Sequence, residues 1–156
     1  AKIIEVNPRL SPQFTSLYAN VSGRSLYEHV VQAAAGLPMQ TNGVKSTFAY
    51  AASCVLRKPD DCLVRRLPSQ RELKRVRKTI PGTDIVLQAE PGDRLSDLMQ
   101  DSYSFRYGWI NLGAKSRAKL RQRYRRALKM LKFDFVPLNG AEIALPIRKT
   151  GRRKAG

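Results

Sequence analysis

The sequence predicts an α+β fold: a small mixed domain of about four to five helices with a short sheet and a C-terminal β-hairpin, plus extended basic or turn-rich termini. Three observations predict it. Apolar residues recur at helical spacing in segments that open on Ser-x-x-Glu and close on Gly or Pro. Between them lie β-branched and alternating aromatic runs of strand length. An Asn-Gly pair, Asn139-Gly140, separates two apolar stretches. The chain of 156 residues has the length of about one domain, and its 42% hydrophobic content is enough for a core. We divide it into an extended arm over 1–24, a single domain over 25–147 and a basic tail over 148–156.

The arm begins with the apolar Ile3-Ile4-Glu5-Val6, then turns polar and rich in Pro, Ser and Asn. Such an arm lies along a neighbour or an RNA groove, or simply frays. Ser25-Leu26-Tyr27-Glu28 fits a capping box, and Leu26, Tyr27, Val30, Val31 and Ala34 make an apolar stripe up to Gly36 and Pro38. The single histidine, His29, sits on this helix without an orienting partner and reads as a surface residue. Val44 to Arg57 is predicted as a second helix on the spacing of Phe48, Ala51, Ala52, Val55 and Leu56, with a strand as the alternative. Residues 60–67 are a link that could pair as a strand.

Ser69-Gln70-Arg71-Glu72 is a second capping box. The helix behind it runs to Lys78 or Thr79, with Leu73, Val76 and Ile80 facing the core. Thr83 to Ala89 is a β-branched strand. Leu95, Leu98 and Met99 predict a further helix, capped by Asp93. Tyr103, Phe105, Tyr107 and Trp109 alternate along a strand and share one face of it. They form either core or a stacking platform for unpaired bases, and core is favoured because the domain has few other large apolar groups. Phe133 to Leu138 and Ala141 to Ile147 flank Asn139-Gly140 as the hairpin, with Pro137 and Pro146 in edge positions.

Charge carries the functional information. There are 29 basic and 12 acidic residues, a net +17. Residues 1–60 hold only +3 of it and residues 61–156 hold +14. A self-repelling surface of that size calls for a partner that neutralises it, and nucleic acid is the commonest. An anionic membrane surface is a weaker fit, and a merely basic soluble protein is the plain alternative.

The densest segment is Lys115 to Lys132, with nine Lys or Arg in eighteen residues and no acid. Leu120, Tyr124, Ala127, Leu128 and Leu131 fall within an arc of about 100° on its helix. One face therefore seeks a core and the remainder a polyanion. The candidate RNA-binding residues here are Lys115, Arg117, Lys119, Arg121, Arg123, Arg125, Arg126, Lys129 and Lys132. The earlier basic helix adds Arg71, Lys74, Arg75, Arg77 and Lys78, and the aromatic strand adds Arg106. The tail adds Arg148, Lys149, Arg152, Arg153 and Lys154; tails of this kind order in RNA crevices.

Other chemistry finds little support. Cys54 and Cys62 stand apart without a Cys-x-x-Cys partner, which is too few ligands for structural zinc. Asp84, Glu90 and Asp97 could in principle ligate the Mg²⁺ of a nuclease, but Asp93 and Asp97 are explained by helix capping and first-turn charge. No P-loop, G-x-G-x-x-G, H-E-x-x-H or nucleophile elbow is present. The expectation is a chain that is not an enzyme and needs no cofactor, no metal and no small-molecule substrate. No run of eighteen apolar residues predicts a membrane span.

Two basic helices, a basic tail, a loose arm and a small core together predict a structural RNA-binding component of a large ribonucleoprotein. In general character the chain resembles ribosomal proteins, including the lineage-specific ones of mitochondria. That likeness to a class implies ribosomal RNA and neighbouring ribosomal proteins as partners, and carries over no residue roles. It implies the mitochondrial matrix or otherwise the cytoplasm. The start at AKIIEV without Met fits a cleaved presequence, and fits removal of Met before Ala equally. The first alternative is a DNA-binding phage or chromosome-associated protein. Against it, only Ser116 and Gln122 on the basic helix suit base edges, and no helix-turn-helix precedes them. The second alternative is a basic supernumerary subunit of a mitochondrial membrane complex.

Overall fold

The computed structural model describes residues 9–39, 46–98 and 104–138. They form α1 (Pro12–Ser22), α2 (Leu26–Ala34), β1 (Tyr50–Lys58), β2 (Cys62–Arg66), α3 (Gln70–Thr79) and β3 (Thr83–Leu87). A 3-10 turn at Leu95–Asp97, β4 (Phe105–Ala114), α4 (Arg117–Met130) and β5 (Asp134–Pro137) follow. The class is mixed α+β, with four α-helices among the described residues.

β4 is the centre of a three-stranded antiparallel sheet in the order β1-β4-β3. A central strand is covered on both faces, so most of β4 is buried. On one face Leu56, Ile85, Ile110 and Leu112 meet Leu73, Val76 and Ile80 of the α3 segment, together with Ala127 and Leu131 at α4. Ile110 and Leu112 are fully buried, which stabilises the fold by about 1.5–3 kcal/mol for each side chain. The other face carries Val55, Val86 and Trp109 together with a polar pair. Ser53 and Asn111 pair across β1 and β4 and reach α1. Gln13 Nε2 donates to Ser53 Oγ at 2.9 Å, and Asn111 Nδ2 donates to Ser16 Oγ at 2.7 Å and to the Gln13 carbonyl.

β2 and β5 make a separate antiparallel pair. It joins the main core through aromatic contacts, with Tyr107 4.8 Å from Phe135 and 5.5 Å from Phe133 between ring centroids. Phe48 is a further anchor. Its ring lies so close over Gly82 and Gly113 that a methyl group on either would collide with it. The same node is closed by backbone: Phe48 N–H donates to the Asn20 carbonyl at 3.2 Å, and Gly113 N–H to the Gly82 carbonyl at 3.2 Å.

Several expectations are corrected. Residues 12–22 of the supposed extended arm are helical. Pro12 sits in the first turn, where its missing N–H costs nothing, and Gly23 closes the helix with φ 74°. Residues 50–57 form a strand instead of the predicted helix. Small residues there let α1 pack against the sheet, and pairing with β4 overrides the helical spacing. The helix predicted around Leu95 to Met99 is only the 3-10 turn among the described residues. Asp93 is not its cap: Asp93 Oδ2 accepts from Glu90 N–H at 2.7 Å and closes the preceding turn. The box at Ser25 is half-formed, since Ser25 Oγ accepts from Tyr27 N–H while Glu28 pairs with Arg24.

The aromatic row is also split. Leu56 pairs with Gly108 and Arg57 with Arg106, so Tyr107 bulges from β4 and the alternation slips by one. Phe105 and Tyr107 join the core, while Trp109 falls in phase with Asn111 on the α1 side. Of the predicted hairpin, Asp134–Pro137 is a strand, but it pairs with β2; Asn139-Gly140 and 141–147 lie outside the described residues, as does Tyr103.

Candidate nucleic-acid interface

α4 starts at Ser116, whose Oγ accepts from Lys119 N–H at 3.2 Å. Its stripe docks as the sequence predicts. Ala127 and Leu131 are buried, and Leu120, Tyr124 and Leu128 pack against them. Helical geometry then forces the rest of the helix outward. Arg117, Lys119, Arg121, Arg125, Arg126 and Lys129 are exposed, as are Lys115 and Lys132 beyond its ends. No carboxylate lies on the helix. Arg117 and Lys119 also sit at the positive end of the helix dipole, which disfavours each by about 0.3–1 kcal/mol until an anion binds there.

Arg121, Gln122, Arg125, Arg126 and Lys129, with Ala118, line a shallow open concavity of about 560 Å³ among the described residues. Arg121, Arg125 and Lys129 rise along it at intervals of about 6 Å, four residues apart. Ala118 and Gln122 were not among the predicted contacts. Their signal is the repeat 118, 122, 125, 129 on the face away from the apolar stripe.

α3 lies on the same side of the sheet as α4. Its capping box is complete: Ser69 Oγ accepts from Glu72 N–H at 3.3 Å, and Glu72 Oε2 accepts from Ser69 N–H at 2.8 Å. The Ser69 backbone and hydroxyl, followed by Arg66, hold the Glu72 carboxyl below the usual carboxylate range. That carboxylate is engaged locally, leaving Arg71, Lys74, Arg75 and Lys78 exposed. Arg75 Nη2 donates to the Met130 carbonyl at 3.4 Å, which ties α3 to the end of α4.

Two of the predicted contacts serve the fold. Arg123 lies on the flank of the stripe, four residues before Ala127. Its Nη2 donates to the Pro81 carbonyl and its guanidinium lies 5.0 Å over the Phe48 ring. Burial lowers its pKa. Arg77 donates to the Ile85 carbonyl at 3.0 Å and lies 4.0 Å from Asp84. Arg106 is half-buried on β4, out of phase with Phe105 and Tyr107, and so stands away from the α3–α4 side. Arg148, Lys149, Arg152, Arg153 and Lys154 lie outside the described residues.

The candidate metal-binding carboxylates are dispersed. Asp84 faces Arg77, Glu90 lies in a turn and Asp97 in the 3-10 segment. Among the described residues no three His, Cys, Asp or Glu side chains are grouped to hold a metal ion. Asp61 binds Arg94 Nε at 2.6 Å and Ser96 N–H at 3.0 Å; burial opposes its ionisation, but these bonds outweigh it and lower its pKa. No helix among the described residues is long and apolar enough to cross a membrane. No protein-family model matches the chain, and no curated protein matches it either.

Proposed function

We propose that this chain is a structural RNA-binding component of a large ribonucleoprotein, most specifically a ribosomal protein that holds ribosomal RNA by its phosphates. The observation that carries the reading is α4: a docked 14-residue helix with exposed cations at fixed spacing and no carboxylate. Cations held rigidly on a folded body meet a phosphate line without first being ordered, which favours affinity. Folded RNA is bound largely through shape and backbone, which suits Lys and Arg without base-reading partners.

Groove reading of DNA is the second reading, and the helix supports it less. Ser116 is engaged as the cap, and Gln122 Oε1 accepts from Lys119 Nζ at 3.1 Å. A mitochondrial ribosome is the particle proposed first, and a cytoplasmic one second. Cys54 and Cys62 are unbonded, which suits a reducing compartment.

Sucrose-gradient fractionation of a native extract, with mass spectrometry of the fractions, tests the proposal. The chain is expected with ribosomal particles and is released only at high salt. Sedimentation with membranes and not with ribosomes would overturn it.

A further inference from the structure

We infer that the outward face of the α1–α2 hairpin is a protein-docking surface, built to take an uncharged apolar patch of a different polypeptide. Among the described residues nine large apolar side chains are exposed, and eight of them fall between positions 14 and 39. Phe14, Tyr18 and Val21 form one stripe of α1, at i, i+4 and i+7, turned away from the side that bonds Ser53 and Asn111. Tyr27, Val30 and Val31 form a stripe of α2, with Val31 66% exposed.

α2 is oriented against the usual rule. Its half-buried positions are Leu26, His29 and Gln32, and no residue of it is fully buried. His29 Nε2 and Gln32 Oε1 are buried there without a hydrogen-bond partner among the described residues. A surface helix ordinarily turns its apolar stripe inward and its polar atoms to water. Here Tyr27, Val30 and Val31 face outward while polar atoms of His29 and Gln32 are covered, as expected of a helix whose apolar side has a partner. A concentrated exposed apolar patch marks an interaction surface.

Charge identifies the occupant. Residues 10–39 carry one cation, Arg24, and one anion, Glu28, which pair at 3.4 Å. The patch is neutral in a chain of +17. It lacks the cations that nucleic acid requires. It lacks the Lys and Arg that flank the apolar face of a helix lying on a membrane. A second copy of the chain would bring its own +17 against the first. A different protein with an apolar surface meets none of these objections. α1 covers one face of the sheet and α3 and α4 the other, so the neutral and the basic surfaces can be occupied together. The docking surface stands on its own observations; only the placing of its partner in the same particle rests on the reading proposed above.

Site-specific photo-crosslinking in the full chain tests this. The photoreactive residue is placed at position 31 in one preparation and at position 125 in another. Position 31 is expected to crosslink one defined polypeptide. That polypeptide, purified, should bind the full chain, and Val31→Asp should weaken the binding at least tenfold while RNA affinity stays unchanged. A second variant, Val31→Ala, should weaken it less and keeps the test valid if the Asp variant unfolds. Crosslinks from position 31 to RNA, to lipid, to a second copy or to nothing would each overturn the docking surface. So would equal affinity of the variants for the purified polypeptide. Protein at position 31 with no RNA at position 125 would sink the RNA reading and leave this one standing.

Discussion

Neutralising Arg121, Arg125 and Lys129 to Gln tests the proposed phosphate-binding face apart from the rest of the molecule. All three are exposed in the α4 concavity and have no ion pair among the described residues. Each phosphate contact contributes about 0.7 to 0.9 to the slope of log K against log salt. Losing three flattens that slope by about 2 to 3. Taking the term to vanish near 1 M salt, the same contacts are worth about 10²-fold in affinity at about 0.15 M, or about 3 kcal/mol. Folding stability should move by less than about 0.5 kcal/mol, because the residues touch little. Reversal to Glu at the same positions should abolish binding and leave the fold intact. The assay is filter binding of ribosomal RNA fragments from about 50 to 500 mM salt, with melting followed in parallel. Arg123→Ala is the internal control. It removes a charged hydrogen bond and a cation–π contact, costing about 1–2 kcal/mol and about 3–6 °C in Tm, while the salt slope is kept. An unchanged slope in the triple variant, or an equal loss of slope with Arg123→Ala, would refute the assignment.

Two further outcomes follow from the packing and the caps. Gly113→Ala places a methyl group in the Phe48 ring and should destabilise by about 1–3 kcal/mol; a Tm shifted by less than about a degree would show that the node yields freely. The Glu72 carboxyl has a lowered pKa in the fold, so its stabilisation is present above the ordinary glutamate value and is lost as pH falls through the folded value. Denaturant titrations at neutral and acidic pH should therefore show a smaller acid loss in Glu72→Gln than in the natural chain. Equal losses would remove Glu72 as a source of that pH dependence.

The two basic helices were legible because their evidence is local. Ser69 and Glu72 cap α3 within one turn, and the stripe from Leu120 to Leu131 recurs within α4 itself. β3 was legible for the same reason, from its β-branched run. β1 was not. Its apolar residues satisfy a helical repeat about as well as a strand, and the choice is made by pairing with β4. α1 was hidden by Pro12, which reads as a breaker but occupies the one helical position that tolerates it.

Arg123 and Arg77 illustrate the limit for the candidate site. In sequence they are indistinguishable from Arg121 or Lys74, since all are cations on basic helices. Which of them closes on Pro81 or Ile85 depends on a loop and a strand that arrive from elsewhere in the chain. By itself the sequence determined the α+β class, the basic helices and the uneven charge, because composition, caps and helical periods act within a few residues. The tertiary structure alone decided the strand at β1, the bulge that parts Tyr107 from Trp109, and the sorting of arginines into anchors and exposed cations. It alone put the neutral and basic surfaces on opposite faces of one sheet. Those outcomes rest on contacts such as that between Asn111 and Ser16, 95 residues apart, which no local pattern records.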